Sequence, residues 1–260
     1  LGGKVPYWGY TESVLVDGDH VICTPGGKRG TLAAIDKKTG KVIWRSGDWT
    51  DGAQYASVVP VELNGQRQLV QLTQKTLAGV SARDGSLLWR NAWPGRTAVI
   101  PTPIIDRNQI YVTSGYGAGC RKITVGSTNK VAEDYSNKNM KNHHGGVLLL
   151  DGHLYGYSDG RGWTCQNLKS GKVIWDSKKL GKGCVFYADK RLYCLEESSG
   201  TVALAGANTA GWKEHGRFKL EPQTELRKSS GRIWTHPVVA QGVMYLRDQE
   251  LLFAFDVRAQ

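Results

Sequence analysis

The sequence predicts an all-β fold made of repeated four-stranded antiparallel sheets, and three observations support this prediction. First, nearly the same strand–turn–strand motif occurs three times, at Gly30–Arg45, Thr76–Arg90 and Gly162–Ser177. Second, other hairpin-like segments recur about every 40–50 residues along the whole chain. Third, no helical periodicity interrupts these segments. Two hairpins per period make one four-stranded sheet, and a tandem array of such sheets is typical of a β-propeller.

The repeated motif, "GTLAAIDKKTGKVIWR" in its first copy, reads as a strand, a tight turn and a second strand that ends in tryptophan. In each copy a glycine precedes the tryptophan by four residues, and glycine readily adopts the positive φ that the turn requires. An indole at the end of an outer strand can bury a large apolar area against a neighbouring sheet. We therefore predict a structural docking motif formed by three glycine–tryptophan pairs: Gly40 with Trp44, Gly85 with Trp89, and Gly171 with Trp175.

The other hairpin segments each combine an apolar β-branched run, a short polar or glycine turn and a second alternating run. They are Ser13–Thr24, Ser57–Leu72, Thr102–Ser114, Gly146–Ser158, Cys184–Leu195 and His236–Arg247. Joined to the segments that follow them, they predict five full repeats and a partial sixth. The outer strand is degenerate in two repeats, with Tyr135 in the aromatic position of the third and Trp212 shifted in the fifth.

Composition and charge narrow the class of protein. No apolar run approaches the roughly 18 residues that a membrane-spanning helix needs, so we predict no transmembrane segment. The formal net charge is +11, but the basic residues are scattered through turns and accompany no nucleic-acid motif, so we predict no nucleic-acid partner. The five cysteines show no CxxC spacing, and we interpret Cys23, Cys184 and Cys194 as small apolar residues of strands.

The segment "LAAIDKKTGKVIW" resembles the tryptophan-docking motif of the PQQ-type repeat. This repeat belongs to propellers of the quinoprotein alcohol dehydrogenase-like superfamily and to BamB-like outer-membrane assembly lipoproteins. "VDGDHVICTPGG" and "WTHPVVAQGVMYLRDQELL" resemble PQQ-binding-like, BamB-like propeller proteins more closely still. The resemblance implies a ring of seven or eight blades. We therefore expect residues 1–260 to form a single β-propeller domain that lacks one or two N-terminal blades, in the periplasm or otherwise outside the cytoplasm.

Candidate binding residues lie just before the first strand of successive repeats. First strands line the central channel of a propeller and run in the same direction, so the residues before them are expected to meet at one mouth of the channel. A concave site with a few convergent polar groups is the usual binding-site hypothesis. The residues chosen for ligand binding are Trp8, Glu12, His143, His144, Lys182, Trp234 and His236, with Tyr10, Tyr55, Ser57 and Thr102 beside them.

Each of these candidates also has a structural interpretation. His143 and His144 could cap a loop or satisfy backbone groups. Together with His236 and Glu12 they could instead bind a divalent metal, although no local spacing supports a metal site. Trp8 and Trp234 could stack on a flat ligand such as a quinone or a sugar, or they could be buried between blades. Asp159, in "GYSDGRGW", is interpreted as a turn residue.

Three functional hypotheses follow. The first is a non-catalytic propeller that acts as a binding or assembly platform like the BamB-like proteins, with a protein partner, a polysaccharide or a small ligand at the channel mouth and no cofactor. The second is a PQQ-dependent dehydrogenase, for which the resemblance implies PQQ with Ca²⁺. This chain has no adjacent cysteine pair, no CxxCH haem motif and only Glu12 as a carboxylate among the residues placed at the mouth. The third is a sugar-binding or sugar-processing propeller that uses the same histidines and tryptophans.

Overall fold

The computed structural model describes residues 1–258, which form 23 β-strands arranged in six antiparallel sheets. Five sheets have four strands and the sixth has three, as predicted from the five full repeats and one partial repeat. No helix occurs among the described residues, and thus none of the length and apolarity needed to span a membrane. The fold is that of an all-β propeller. The chain divides into two compact units, Leu1–Lys138 and a second unit that begins at Asn139.

The first unit contains three sheets, and each uses four consecutive strands in sequence order. The first sheet contains β1 (Leu15–Asp17), β2 (His20–Cys23), β3 (Ala33–Asp36) and β4 (Val42–Arg45). The second contains β5 (Val59–Leu63), β6 (Gln66–Leu72), β7 (Thr76–Ser81) and β8 (Leu87–Ala92). The third contains β9 (Ile104–Asp106), β10 (Gln109–Ser114), β11 (Gly119–Val125) and β12 (Val131–Asn137).

The second unit contains the other three sheets, with the same order of strands. The fourth sheet contains β13 (Val147–Leu150), β14 (His153–Ser158), β15 (Gly162–Asn167) and β16 (Val173–Ser177). The fifth contains β17 (Gly183–Ala188), β18 (Arg191–Glu196), β19 (Thr201–Gly206) and β20 (Glu214–Lys219). The sixth contains β21 (Val238–Ala240), β22 (Val243–Asp248) and β23 (Leu251–Asp256).

A register shift occurs at the same place in every four-stranded sheet, between the third and fourth strands. In the first sheet it falls between Ala34 and Ile35, and in the second between Gly79 and Val80. A β-bulge bends the strand and re-aims its side chains. The bulge therefore belongs to the repeating unit together with the turn glycine, whose φ is +71° at Gly40 and +74° at Gly85.

The tryptophans of the fourth strands contact the protein in two different ways. The Trp44 indole packs against Gly85 and donates its Nε1–H to the carbonyl of Ala82, at the turn of the next sheet, at 3.1 Å. The Nε1–H of Trp175 likewise donates to the carbonyl of Asn208, between β19 and β20 of the next sheet, at 2.9 Å.

Trp89 instead donates within its own sheet, to Oε1 of Gln68 at 2.7 Å. The Gln68 amide then donates to Oδ1 of Asn129 in the turn of the third sheet, at 3.1 Å. The glutamine thus relays a polar contact that Trp44 and Trp175 make directly.

Apolar side chains fill the space between consecutive sheets within each unit. Trp44, Leu69 and Val80 belong to one buried cluster that joins the first and second sheets, and a second cluster joins the second and third sheets. In the second unit, comparable clusters join the fourth to the fifth sheet and the fifth to the sixth. Burial of this apolar surface is the main force that holds successive sheets together.

All five cysteines are free thiols. Cys184 and Cys194 are buried and Cys23 is half-buried, which agrees with their interpretation as small apolar residues of strands. Burial raises the pKa of the Cys184 thiol to about 12, so this thiol stays protonated and unreactive at neutral pH.

Candidate functional site

Six residues of the second unit form two hydrogen-bonded trios that meet at the rings of His143 and His144, whose centroids are 5.2 Å apart, and we call them the histidine cluster. His143 and His144 precede β13, Lys182 precedes β17, and Trp234 lies four residues before β21. Each of these four was a sequence-based candidate because it comes shortly before the first strand of its sheet. Two carboxylates complete the cluster. The six members are His143, His144, Asp159, Lys182, Glu197 and Trp234.

Lys182 lies between an imidazole and a carboxylate. Its Nζ is 2.6 Å from Nδ1 of His143 and 3.0 Å from Oδ1 of Asp159. Burial, the Lys182 charge and the neighbouring His144 lower the pKa of His143 to about 4. His143 is therefore neutral at pH 7 and its Nδ1 accepts a hydrogen bond from the lysine ammonium.

Glu197 connects the other histidine to an indole. Its Oε2 is 2.6 Å from Nε2 of His144 and accepts the Nε1–H of Trp234 at 2.9 Å. Burial alone would raise the pKa of Glu197, but the hydrogen bonds from His144 and Trp234 and the charges of His144 and Lys182 bring it below its usual value. Glu197 is thus an ionised carboxylate that fixes the orientation of both rings.

His144 has a second ring nitrogen that is not satisfied. Its Nδ1 is buried and has no hydrogen-bond partner among the described residues. The imidazole also contacts Trp234 edge-on, with ring centroids 6.2 Å apart. His236 lies close by, where the desolvation of its ring and the nearby His144 lower its pKa.

Glu12, in the first unit, accepts hydrogen bonds from Thr24 on both of its carboxylate oxygens. Its Oε1 accepts the backbone N–H of Thr24 at 2.5 Å and its Oε2 accepts the Thr24 hydroxyl at 2.6 Å. The Thr24 hydroxyl also accepts a hydrogen bond from Nε2 of Gln71 at 2.7 Å. Burial raises the pKa of Glu12 although these two hydrogen bonds act against the rise.

Trp8 lies in an exposed aromatic segment of the first unit. Its backbone N–H donates to the Tyr55 hydroxyl at 3.3 Å, and its ring contacts that of Tyr55 edge-on, 5.7 Å between centroids. The Tyr7 ring also contacts the Trp8 ring edge-on, with 4.8 Å between the centroids. The hydroxyl of Tyr10 donates to the carbonyl of Pro25 at 3.1 Å.

The interpretation of Trp8 and Trp234 as buried residues is wrong. Trp8 and Trp234 are not buried between blades, because 53% of Trp8 and 57% of Trp234 are exposed. The His144 ring pairs with the side chain of Glu197. Asp159 does lie in a turn, but its carboxylate also forms an ion pair with Lys182.

Sequence reasoning missed Glu197 and did not recognise Asp159 as a partner, although a simple signal marks both. Each is the first residue after the second strand of its sheet, as is Thr24. In an antiparallel sheet the end of the second strand lies beside the start of the first. Residues before first strands and residues after second strands therefore meet at one end of the sheet, and only the former were considered.

The residues do not fit a calcium-held quinone. Both oxygens of Glu12 already accept hydrogen bonds from Thr24. Within residues 1–258, no three His, Cys, Asp or Glu side chains are grouped so that they could hold a metal ion. Glu12, the carboxylate chosen at the mouth, thus has both oxygens engaged within the protein.

An open cleft of about 590 Å³ adjoins the histidine cluster in the second unit. The exposed indole of Trp234 forms part of its wall. Two arginines, Arg232 and Arg247, line it as well, together with Leu226. Its volume lies within the range of small-molecule sites. We call this feature the arginine cleft.

Comparison with known proteins assigns the family. The family model for "Outer membrane protein assembly factor BamB" matches residues 7–177, more than half of the chain. The chain belongs to the BamB family. The part of this BamB-family chain that matches includes Trp8, Glu12, His143 and His144, whereas Lys182, Trp234 and His236 lie beyond it. No curated protein sequence matches the chain significantly.

Solved structures share the fold of this BamB-family chain at low sequence identity. BamB from Moraxella catarrhalis is 14% identical with a TM-score of 0.69, and the match covers 97% of this chain and 72% of that one. Dihydro-heme d1 dehydrogenase NirN, in complex with DHE, is 14% identical with a TM-score of 0.60, covering 92% of this chain and 52% of NirN. The computationally designed Ika8 protein is 12% identical with a TM-score of 0.51, covering 97% and 86%.

Proposed function

We propose that the chain is a non-catalytic propeller that binds a protein partner and serves as a platform in outer-membrane protein assembly, outside the cytoplasm. Its family is described by that assembly role. The proposal rests on the exposure and the hydrogen bond of Trp234. More than half of this side chain is exposed, yet its indole N–H is held by Glu197.

A rigid exposed aromatic side chain suits a protein interface. Tryptophan is enriched among the residues that dominate binding energy. A side chain already held in one orientation loses little conformational entropy when a partner covers it. In the first unit, Trp8 and Tyr7 present a further exposed aromatic surface, with 53% and 89% of their areas accessible.

The charges of the histidine cluster support binding more than catalysis. The Lys182 ammonium is compensated by Asp159, and the Glu197 carboxylate is hydrogen-bonded by two partners. A paired charge needs no further ligand and serves mainly to hold the surrounding rings. The proposal requires no cofactor.

Co-purification with the outer-membrane assembly machinery of the source organism tests this function. A tagged chain should retain the machinery, and Trp234→Ala should reduce recovery about tenfold or more, in line with the loss of one dominant contact. Tyr187→Ala is the matched control, because it removes an exposed aromatic of the same unit outside the cluster. Absence of the machinery from the wild-type eluate, or equal losses in both variants, would refute the proposal.

A further inference from the structure

The arginine cleft contains two acidic residues, and one of them is neutralised by an arginine. Asp248 is 2% exposed, and its Oδ2 lies 3.3 Å from Nη2 of Arg227 and accepts the backbone N–H of Thr224 at 3.2 Å. Glu250 accepts the Thr224 hydroxyl on both carboxylate oxygens, at 2.8 and 2.6 Å. The buried charge of Asp248 is thus neutralised within the protein, whereas the Glu250 carboxylate is exposed and accepts a hydrogen bond from a hydroxyl.

Arg232 and Arg247, the two arginines that line the cleft, contact backbone carbonyls instead of carboxylates. Arg247 donates its Nε–H to the carbonyl of Gln249 at 2.7 Å, and Arg232 donates from Nη1 to the carbonyl of Gly231 at 2.7 Å. These backbone contacts position both guanidinium groups. Neither group forms an ion pair with a carboxylate among the described residues, so both keep N–H donors for an anion.

An apolar wall stands beside these positive charges. Trp234 is 57% exposed and Leu226 is 71% exposed, and both line the cleft. Large apolar side chains left in contact with water beside a concave surface indicate a binding site. The cleft thus combines two fixed cationic donors with an indole of fixed orientation and an aliphatic side chain.

We propose that the arginine cleft binds an acidic peptide segment of a partner protein, with carboxylates on Arg232 and Arg247 and an apolar side chain against Trp234 and Leu226. This inference rests on the proposed function, whose partner it describes chemically. Guanidinium groups bind carboxylates through paired N–H donors. A neutral sugar would leave both cations unpaired.

Titration with a pair of short peptides tests the assignment on the purified chain. The probes are the blocked pentapeptide Gly-Glu-Leu-Glu-Gly and its analogue with glutamine in place of both glutamates. Binding is followed by the NMR signal of the Trp234 indole N–H, which Trp234→Phe identifies. We expect the acidic peptide to shift this signal and the amide analogue to bind at least about tenfold more weakly.

Variants distinguish binding in the cleft from a general effect of the positive net charge. Arg232→Gln and Arg247→Gln should each weaken binding of the acidic peptide about tenfold, and Arg232→Lys should recover only part of the loss because lysine has no fork of donors. Arg83→Gln makes the same change of charge on an exposed arginine of the first unit and should leave the affinity unchanged. Circular dichroism of each variant establishes that it is folded.

Several results would overturn the inference. These are equal binding of the two peptides, no binding of either, an equal loss in Arg83→Gln, or a larger shift with cellobiose or with inorganic phosphate. The outcome is distinguishable from that of the platform proposal. If the chain retains the assembly machinery while the acidic peptide fails to bind, the cleft assignment alone is wrong. If the peptide binds but the machinery is not retained, the platform proposal fails and the cleft assignment stands.

Discussion

Nε2 of His144 lies 2.6 Å from Oε2 of Glu197, and the same oxygen accepts the indole N–H of Trp234. One carboxylate therefore orients an imidazole and an exposed indole that belong to segments far apart in sequence. Removal of this carboxylate should loosen both rings, so Glu197 is a positioning residue for the surface around Trp234.

Glu197→Gln should lower the free energy of unfolding by about 1–3 kcal/mol at pH 7. A glutamine can accept from Trp234, but it has no charge to strengthen the bond to His144. Because the pKa of Glu197 is lowered in the folded state, its stabilisation is complete above its unfolded pKa of about 4.3 and is lost as the pH falls through the folded value. Urea unfolding from pH 7 to pH 3 measures this change.

The control for this comparison is Glu225→Gln, which alters an exposed glutamate and should change stability by less than about 0.5 kcal/mol. A difference between wild type and Glu197→Gln that stays constant down to pH 3 would contradict the assignment of an ionised, hydrogen-bonded carboxylate.

His143 should make the folded chain sensitive to mild acid. Its pKa is about 4 in the folded state, because of burial and the charge of Lys182, against about 6.5 when unfolded. Between these values the unfolded chain binds more protons, so stability should fall as the pH decreases from 6.5 to 4. After allowance for the partial exposure of the ring, the loss should be on the order of 2 kcal/mol.

A neutral substitution at this position isolates the effect. His143→Gln cannot be protonated, so its unfolding free energy should vary less across this pH range than that of the wild type. The His153→Gln variant serves as the control, since this histidine lies at the start of β14, outside the cluster. An unchanged slope in His143→Gln would show that another group is responsible.

Lys182→Met should raise the pKa of His143. Burial is the largest cause of the lowered value and remains in the variant, whereas the second cause, the lysine charge, is removed. The pKa should therefore move from about 4 toward the ordinary histidine value without reaching it. Titration of the histidine Cε1–H signals by NMR measures the shift.

Lys172→Met provides the matched control, because Lys172 is an exposed lysine of the same unit that has no contact with the cluster among the described residues. Equal shifts in the two variants would indicate a general effect of net charge instead of the 2.6 Å contact between Lys182 and His143.

The sheets could be predicted from sequence because hairpins are local. Each turn is set by neighbouring residues, such as Gly40 or Gly85, because glycine readily adopts the positive φ observed there. Contacts between sheets were harder to predict. Trp44 and Trp89 occupy equivalent positions, yet only Trp44 donates to the next sheet, since Gln68 intercepts the Trp89 indole.

Part of the histidine cluster was also predictable. His143, His144 and Lys182 were grouped because each precedes a first strand, and the structure brings them together. Glu197 was missed because it follows a second strand, whereas only residues before first strands were considered. Its role depends on which residues of other sheets face it.

The packing of Trp44 on Gly85 provides a direct test of how the repeats are joined. Gly40 and Gly85 occupy the same turn position with almost the same φ, +71° and +74°. A Cβ added at Gly85 would lie 2.4 Å from Cε3 of Trp44, whereas one added at Gly40 would have no atom within 4 Å. Gly40→Ala should therefore cost about 1 kcal/mol from backbone strain alone.

Gly85→Ala should cost that strain and, in addition, the displacement of a side chain that is only 8% exposed, so about 3 kcal/mol or more in total. Chemical unfolding of both variants measures the difference. In a Trp44→Ala background the extra cost of Gly85→Ala should largely disappear, because the clash has no partner, while the cost of Gly40→Ala stays the same. Equal costs for the two glycine variants in the wild-type background would mean that this contact does not join the first two sheets.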